Sequence, residues 1–168
     1  MLQALRLRSA TPWLRRAQHP TRRGGRMAEV SAEARIEAPA EKVWAQLTDW
    51  SAYGEWNATH TGFPKGGPET LEVGGTFAEN MKLMGFPAEV DWTIDQLEPV
   101  RVLAISGKGP MAVNVATRYT LTPDGDATTL RIDGEFTGAA VSIMAGKLKD
   151  SATAALNESL RKLSALVA

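Results

Sequence analysis

The sequence predicts one α+β domain in which a curved antiparallel sheet of about seven strands wraps around a long carboxy-terminal helix. Two observations predict this class. Several stretches between residues 30 and 136 alternate apolar and polar side chains, which is typical of half-buried strands. From Val141 to Val167 the apolar residues instead recur at helical spacing, and this helix is the only element long enough to cover the sheet.

The chain directly after Met27 predicts one strand followed by two short helices. One face of the strand carries Val30, Ala32, Ala34 and Ile36. Pro39 suits the first turn of a helix in APAEKVWAQLTD (38–49), because its missing N–H is not needed there. Asp49 can cap a second helix in WSAYGEW (50–56). The two helices are expected to meet at an elbow.

The middle of the chain predicts a loop and then a series of strands. Residues 62–75 are rich in glycine and proline, but they lack the spacing of a phosphate-binding loop. Five strand-like segments follow, namely TFAENMKLM, AEVDWTIDQL, VRVLAIS, MAVNVATRYTL and ATTLRIDGEF. Turns are expected at Gly85–Pro87 and in TPDGD. The last helix would span roughly 40 Å, and a twisted sheet around it is expected to leave a cavity.

Charge divides the chain into two unequal parts. Residues 1–26 contain seven arginines and no acid, so residues 27–168 hold 12 basic against 19 acidic residues, a formal charge of −7. Such an acidic domain is a poor nucleic-acid binder, and we expect no nucleic-acid partner. The basic segment can be an organelle-targeting peptide, a nucleic-acid arm or a spurious extension before Met27. We expect it to be disordered or spurious, and residues 27–168 to form the domain.

Composition excludes several classes of site. The chain has no cysteine, which excludes disulfides and zinc–thiolate sites. No apolar run approaches the roughly 18 residues of a membrane span, so we expect no stable membrane insertion. A lone histidine in residues 27–168 cannot form a metal site by itself. The sequence therefore predicts a cytoplasmic protein without metal or cofactor, and it identifies no protein partner.

Two titratable residues are weak candidates for catalysis. Strand alternation places Glu79 on the same face as Phe77 and Met81, toward an apolar interior where a carboxyl group can bind the polar end of a ligand. The alternative is an edge strand or a bulge that turns Glu79 to solvent. His60 has hydrogen-bonding neighbours but no orienting carboxylate in its segment. We expect a structural or surface histidine, with ligand contact and general-base catalysis as alternatives.

A larger set of side chains is expected to line the cavity. Methionine adapts to irregular ligands, and tryptophan suits a pocket wall with a polar edge, although both also serve in ordinary cores. Strand alternation places Tyr119 inside and Asn114 and Arg118 outside. The expected ligand-binding residues are Trp56, Phe77, Glu79, Met81, Trp92, Met111, Tyr119, Met144 and Leu148.

The element order, together with one early residue pattern, resembles the SRPBCC superfamily, also called START-like or helix-grip. That pattern comprises Pro39, Glu41, Val43–Trp44, Leu47, Asp49, Tyr53 and Trp56. The segments YGEWNATH, TLEVGGTF, MGFPAEVDWTI and LNESLRKL are most similar to an actinobacterial subfamily described as polyketide cyclase-like or as type II toxins. The resemblance implies a seven-stranded sheet gripping the last helix around a hydrophobic cavity. Catalytic residues vary across this superfamily, so none is carried over.

The leading functional prediction is binding or transport of a small hydrophobic molecule, such as a lipid or polyketide, in this cavity. The first alternative is an enzyme of polyketide cyclase/dehydrase type that uses Glu79 or His60 as a general acid or base. The second alternative, a type II toxin, rests on the resemblance alone. A nuclease is disfavoured because residues 27–168 lack both an acid–base pair of histidines and a basic cluster.

Overall fold

The computed structural model describes residues 27–168, and the predictions for segment 1–26 lie outside the described residues. The helices are α1 (Ala40–Leu47), α2 (Tyr53–Trp56) and α3 (Val141–Val167). The strands are β1 (Met27–Ile36), β2 (His60–Gly62), β3 (Thr76–Leu83), β4 (Phe86–Glu98), β5 (Val102–Lys108), β6 (Asn114–Asp124) and β7 (Ala127–Thr137). Short 3-10 turns lie at Trp50–Ala52 and Pro110–Ala112. This order confirms the predicted α+β class.

All seven strands form one antiparallel sheet in the order β1-β7-β6-β5-β4-β3-β2. The two ends of the strand order, β1 and β2, are joined by the connection that contains α1 and α2. The sheet curls into a half-barrel, and α3 packs against β1 and against both short helices. The concave face of the sheet and α3 therefore enclose the interior of the domain.

Two apolar clusters fill this interior. The larger one joins α1, α2, the carboxy-terminal half of α3 and the inner face of the sheet, with Val43, Ile94, Leu130 and Leu163 fully buried. The smaller one surrounds the first turns of α3 and is called the hairpin-end cluster below. It consists of Ala28, Val141 and Leu148, with Leu83, Met84, Val113 and Phe136 packed against them. No helix within residues 27–168 is both long and apolar enough to cross a membrane.

The structure corrects the sequence prediction in two connections of the sheet. The turn between β3 and β4 is Met84–Gly85, not Gly85–Pro87, and both of its residues have positive φ angles of 56° and 80°. Positive φ at both central positions is the geometry that two-residue hairpins prefer. The short strand β2 was not predicted, because three residues are too few to display an alternating pattern.

Two methionines predicted to face the interior are exposed instead. Met111 lies in the turn Pro110–Ala112 with a φ of 59°, so β6 begins only at Asn114 and the Met111 side chain is 81% exposed. Met144 lies on α3, but its φ of −131° departs from helical geometry and its side chain is 42% exposed. In both cases a local break in the backbone rotates the side chain away from the face that the spacing predicts.

Ser159 connects the loop after α2 to the long helix α3 by a hydrogen bond. This buried residue lies on α3, and its hydroxyl donates to the carbonyl of Ala155 at 2.8 Å. The same oxygen accepts the backbone N–H of Ala58 at 2.9 Å. The chain segment that leads into His60 is thus held against the helix by a hydrogen bond across 101 residues of sequence.

Replacing Ser159 with alanine is expected to lower the free energy of unfolding by about 1 kcal/mol, because the Ala58 N–H loses its acceptor. Urea denaturation measures this change. Thr153→Ala is the matched control, since Thr153 makes the same type of bond to the carbonyl four residues earlier but no second one. Equal effects of the two substitutions would show that the link to Ala58 contributes nothing.

Candidate functional site

A cavity of about 70 Å³ lies between the inner face of the sheet and α3. Its wall is mainly apolar, with contributions from Val30, Leu83, Ile105, Ile132, Phe136 and Leu156. One part of the wall is polar and is built from Tyr53, Trp56, Asn57, Glu79, Tyr119 and Ser159. These residues come from α2, the position after it, β3, β6 and α3, which are far apart in the sequence and meet only in the folded domain.

Glu79 is the centre of the polar part of the wall. It lies on β3 with its side chain turned inward, and the residue is only 1% exposed. Its Oε2 accepts the indole N–H of Trp92 at 2.7 Å, and its Oε1 lies 2.9 Å from Nδ1 of His60. Of the two orientations left open by the sequence, the inward one is therefore observed. The segment around His60 offers no orienting carboxylate, and the carboxylate beside its ring comes from β3 instead.

His60 connects Glu79 to the outside of the domain. It begins β2 and pairs with Met81 on β3, and this register brings its ring beside Glu79. The ring also packs against Phe63 and Tyr53, with centroids 4.4 and 4.9 Å away. On its other side His60 lines an open groove of about 640 Å³ together with Trp50. His60 and Glu79 thus form a chain of two titratable groups from the surface groove to the buried cavity.

This pair has the arrangement needed for proton transfer. With Glu79 ionised and the His60 ring neutral, Nδ1–H of His60 donates a hydrogen bond to Oε1, so Nε2 is the acceptor of the ring. A carboxylate that orients a histidine in this way is a general feature of acid–base catalysts. The same hydrogen bond also stabilises a buried carboxylate in a protein that is not an enzyme. The geometry therefore permits acid–base catalysis but does not by itself indicate a reaction.

Tyr53 and Tyr119 complete the polar part of the wall. Burial raises the pKa of the Tyr53 hydroxyl well above its usual value, and the nearby Tyr119 and Glu79 add to the rise. Burial likewise raises the pKa of Tyr119 above the range of ordinary tyrosines, and Glu79 adds to that rise. Both phenols are therefore neutral at physiological pH and can donate or accept hydrogen bonds at the cavity.

The alkaline titration of tyrosine is expected to coincide with unfolding. The chain contains only two tyrosines, Tyr53 and Tyr119, and both have raised pKa values. In the unfolded chain they ionise near their usual pKa of 10.0, so stability is unaffected below that pH and falls as the pH rises above it. Tyrosinate absorbance and circular dichroism should change together. Tyrosinate formation near pH 10.0 in a protein that remains folded would contradict the burial argument.

A larger trough of about 900 Å³ crosses the outer face of the sheet. It is open and runs along strands β3 to β7, where it presents Asp91, Lys108, Asn114 and Glu135. Charges of both signs are mixed along it. Size alone would favour this trough, but the small inner cavity combines an apolar wall with converging buried polar groups, as binding sites for apolar molecules do.

The predicted ligand-binding residues divide into three groups in the structure. Trp56, Glu79, Met81, Trp92 and Tyr119 line the cavity. Phe77 packs in the large apolar cluster, and Leu148 belongs to the hairpin-end cluster. Met111 and Met144 are exposed and do not line it. Outside the cavity, Asn114 is exposed as expected, and Arg118 donates to the side chain of Gln96 at 2.8 Å.

Three further residues of the polar wall were missed as candidates: Tyr53, Asn57 and Ser159. The sequence indicates Tyr53 only as part of the elbow between the two short helices. Ser159 lies on the apolar face of α3, between Leu156 and Leu160, and a serine inside such a stripe is a signal that sequence reasoning can use. Asn57 gives no comparable signal, because asparagine after a short helix is usual in loops.

Comparison with known proteins agrees with this geometry. A model of the family described as polyketide cyclase/dehydrase and lipid transport matches residues 27–168. The uncharacterized protein Rv1546 of Mycobacterium tuberculosis is 26% identical over 109 residues, which cover 64% of this chain and 76% of that protein. Among solved structures, CV1439 from Chromobacterium violaceum has a TM-score of 0.63 at 22% identity, covering 83% of this chain and 97% of that one.

A START superfamily protein from Mycobacterium smegmatis has a TM-score of 0.61 at 19% identity, covering 83% of this chain and 96% of that one. Identities this low show a shared fold and nothing finer. The family match is different, because it spans every residue that the structure describes. The chain belongs to the polyketide cyclase/dehydrase and lipid transport family.

Proposed function

We propose that the protein binds a small hydrophobic molecule in the cavity between the sheet and α3. The observation that carries this proposal is a mainly apolar cavity between the sheet and α3 on whose wall several buried polar groups converge. Burial of apolar ligand surface would drive binding, and the polar groups would orient the ligand. Glu79 and Tyr119 are the proposed orienting groups, with Met81 and Trp92 as apolar contacts.

The size of the cavity limits how such a molecule binds. A volume of about 70 Å³ is far below the roughly 300–1,000 Å³ of typical ligand pockets, so a lipid or polyketide requires the cavity to open. The hairpin-end cluster closes one end of it through Leu83 and Phe136. There the first turn of α3 contains a non-helical residue, Met144, and its neighbour Ile143 is exposed. We therefore propose that the amino-terminal part of α3 moves when a ligand enters.

Native mass spectrometry of the purified protein tests binding directly, through a co-purified or added apolar molecule that adds a discrete mass. Ala155→Leu is the matched variant, because Ala155 lines the cavity and the added isopropyl group would occupy the space. We expect the variant to fold and to lose the bound mass. Exposed Ala154 on the same helix serves as the control through Ala154→Leu. A domain that remains empty in repeated lipid-extract trials would contradict the proposal.

A second candidate function is catalysis of the cyclase/dehydrase type, and the His60–Glu79 pair is the specific observation that favours it. Glu79→Gln separates the two candidates while preserving shape. A binding protein should keep its ligand within a few-fold of the original affinity, whereas an enzyme relying on this carboxylate should bind but lose turnover. The affiliation with an actinobacterial subfamily and the toxin alternative stay predictions, as does a cytoplasmic location.

A further inference from the structure

Trp56 holds the one buried side-chain nitrogen or oxygen in residues 27–168 that has no hydrogen-bond partner. The residue ends α2 and is 1% exposed, so its indole N–H does not reach solvent. Nearly all buried polar groups in native proteins are paired, and each exception calls for an explanation. Trp56 also lines the cavity, which is therefore the place to look for a partner of this N–H.

A second indole on the same wall does have a hydrogen-bond partner. Trp92 lines the cavity as well, and its N–H donates to Glu79 at 2.7 Å. Trp56 has no such partner, and its ring is in edge-on contact with Tyr53 and Tyr119 at centroid distances of 5.1 and 6.2 Å. Phenylalanine would make similar ring contacts without burying a donor. Packing alone therefore does not require the indole nitrogen of Trp56.

We propose that Trp56 Nε1 donates a hydrogen bond to a neutral oxygen of the ligand, so that the cavity selects apolar molecules carrying a carbonyl group. This inference rests on the proposed function and names the ligand class for the same site. An indole is a donor only, so its partner has to be an acceptor. An anionic carboxylate is a poor partner, because Glu79 lies on the same wall and residues 27–168 carry a formal charge of −7.

The geometry also fixes which end of the ligand lies deepest. Trp56, Tyr53 and Tyr119 belong to the polar part of the wall, while the hairpin-end cluster closes the apolar end through Leu83 and Phe136. The space of about 70 Å³ holds a carbonyl group and a few carbon atoms. The carbonyl oxygen therefore enters first and binds at Trp56, and the apolar remainder of the molecule extends toward the moving part of α3.

The experiment uses three probes of matched length: butyl methyl ketone, hexane and hexanoate. Nitrogen-15 NMR of the full chain resolves the tryptophan indole N–H signals, and Trp56→Phe and Trp92→Phe assign the two on the cavity wall. We expect the ketone to move the Trp56 signal downfield, whereas the Trp92 signal stays close to its position because that N–H is already bonded. Hexane should not move the Trp56 signal downfield, and hexanoate should bind more weakly than the ketone.

Affinities of the Trp56→Phe variant complete the test. Loss of one neutral hydrogen bond should weaken ketone binding about 3- to 10-fold and change hexane binding by less than about 2-fold. An unmoved Trp56 signal with bound ketone, an equal loss for both probes, or hexanoate binding as tight as the ketone would overturn the carbonyl subsite alone. Failure of all three probes to bind would overturn the proposed function with it. If the Trp56→Phe variant does not fold, triple-resonance NMR assigns the Trp56 signal of the unmodified protein, and the response of that signal to the ketone decides.

Discussion

Replacing Glu79 with leucine is expected to lower the free energy of unfolding by about 2–4 kcal/mol. Glu79 is 1% exposed and is hydrogen-bonded to Trp92 and His60, so removing its oxygens leaves the buried Trp92 N–H and the partly buried His60 ring without their partner. Leucine is of similar size and apolar, hence the loss comes from the unpaired groups rather than from a cavity. Urea denaturation of the purified variant measures it.

Glu89→Leu is the matched control for this substitution. Glu89 lies on the adjacent strand β4 and is exposed, so its replacement should change stability by no more than about 0.5 kcal/mol. A further comparison also removes the indole N–H of Trp92, which Glu79→Leu leaves without an acceptor. In a Trp92→Phe background the cost of Glu79→Leu should shrink, because one of the two unpaired groups is gone. Equal costs in both backgrounds would mean that the Trp92 bond is energetically silent.

The sequence predicts the frame of this domain well because the relevant signals are local. A period of two marks the strands, and a period near 3.6 marks α3, whose bounds Val141–Val167 match the predicted stretch. Alternation alone also gives the inward side of Tyr119. The type of each element and the side on which a residue lies depend only on the order of residues along the chain. They can be predicted without knowing which strands pair with each other.

The candidate site was only partly predictable because it depends on register. His60 meets Glu79 only because β2 pairs with β3 so that His60 lies opposite Met81, and a three-residue strand leaves no pattern from which that register could be read. Trp92 reaches Glu79 through the pairing of β3 with β4. The carboxylate that orients His60 lies 19 residues away in the sequence, so the residues next to His60 do not reveal it.

The two misplaced methionines show the opposite failure, in which a local pattern continues past a break in the backbone. Met111, Val113 and Val115 alternate as in a strand, but the φ angles of Met111 and of Ala112 are positive, and the strand begins later. Positive φ at residues other than glycine is uncommon and is held in place by surrounding contacts. Sequence spacing contains no information about such a reversal.

Gly107 links the packing of β5 to the polar site, and replacing it with alanine is expected to cost about 1–3 kcal/mol. It pairs with Trp92 across the sheet, and a Cβ atom at this position would lie 2.7 Å from Cε3 of that indole and 2.5 Å from a methyl group of Val90. The indole would have to shift, and it could then no longer keep its 2.7 Å bond to Glu79. Thermal or urea unfolding measures the loss of stability.

Gly109→Ala tests whether this cost comes from the close approach rather than from loss of a glycine. A Cβ atom on Gly109 would meet its nearest neighbours at 3.7 Å, which is ordinary contact, so that variant should remain near the stability of the unmodified protein. Trp92→Phe removes the benzene ring of the indole that crowds Gly107. The cost of Gly107→Ala should then fall by at least about 0.5 kcal/mol in that background. Strict additivity would contradict the idea that Gly107 is required for Trp92 to reach Glu79.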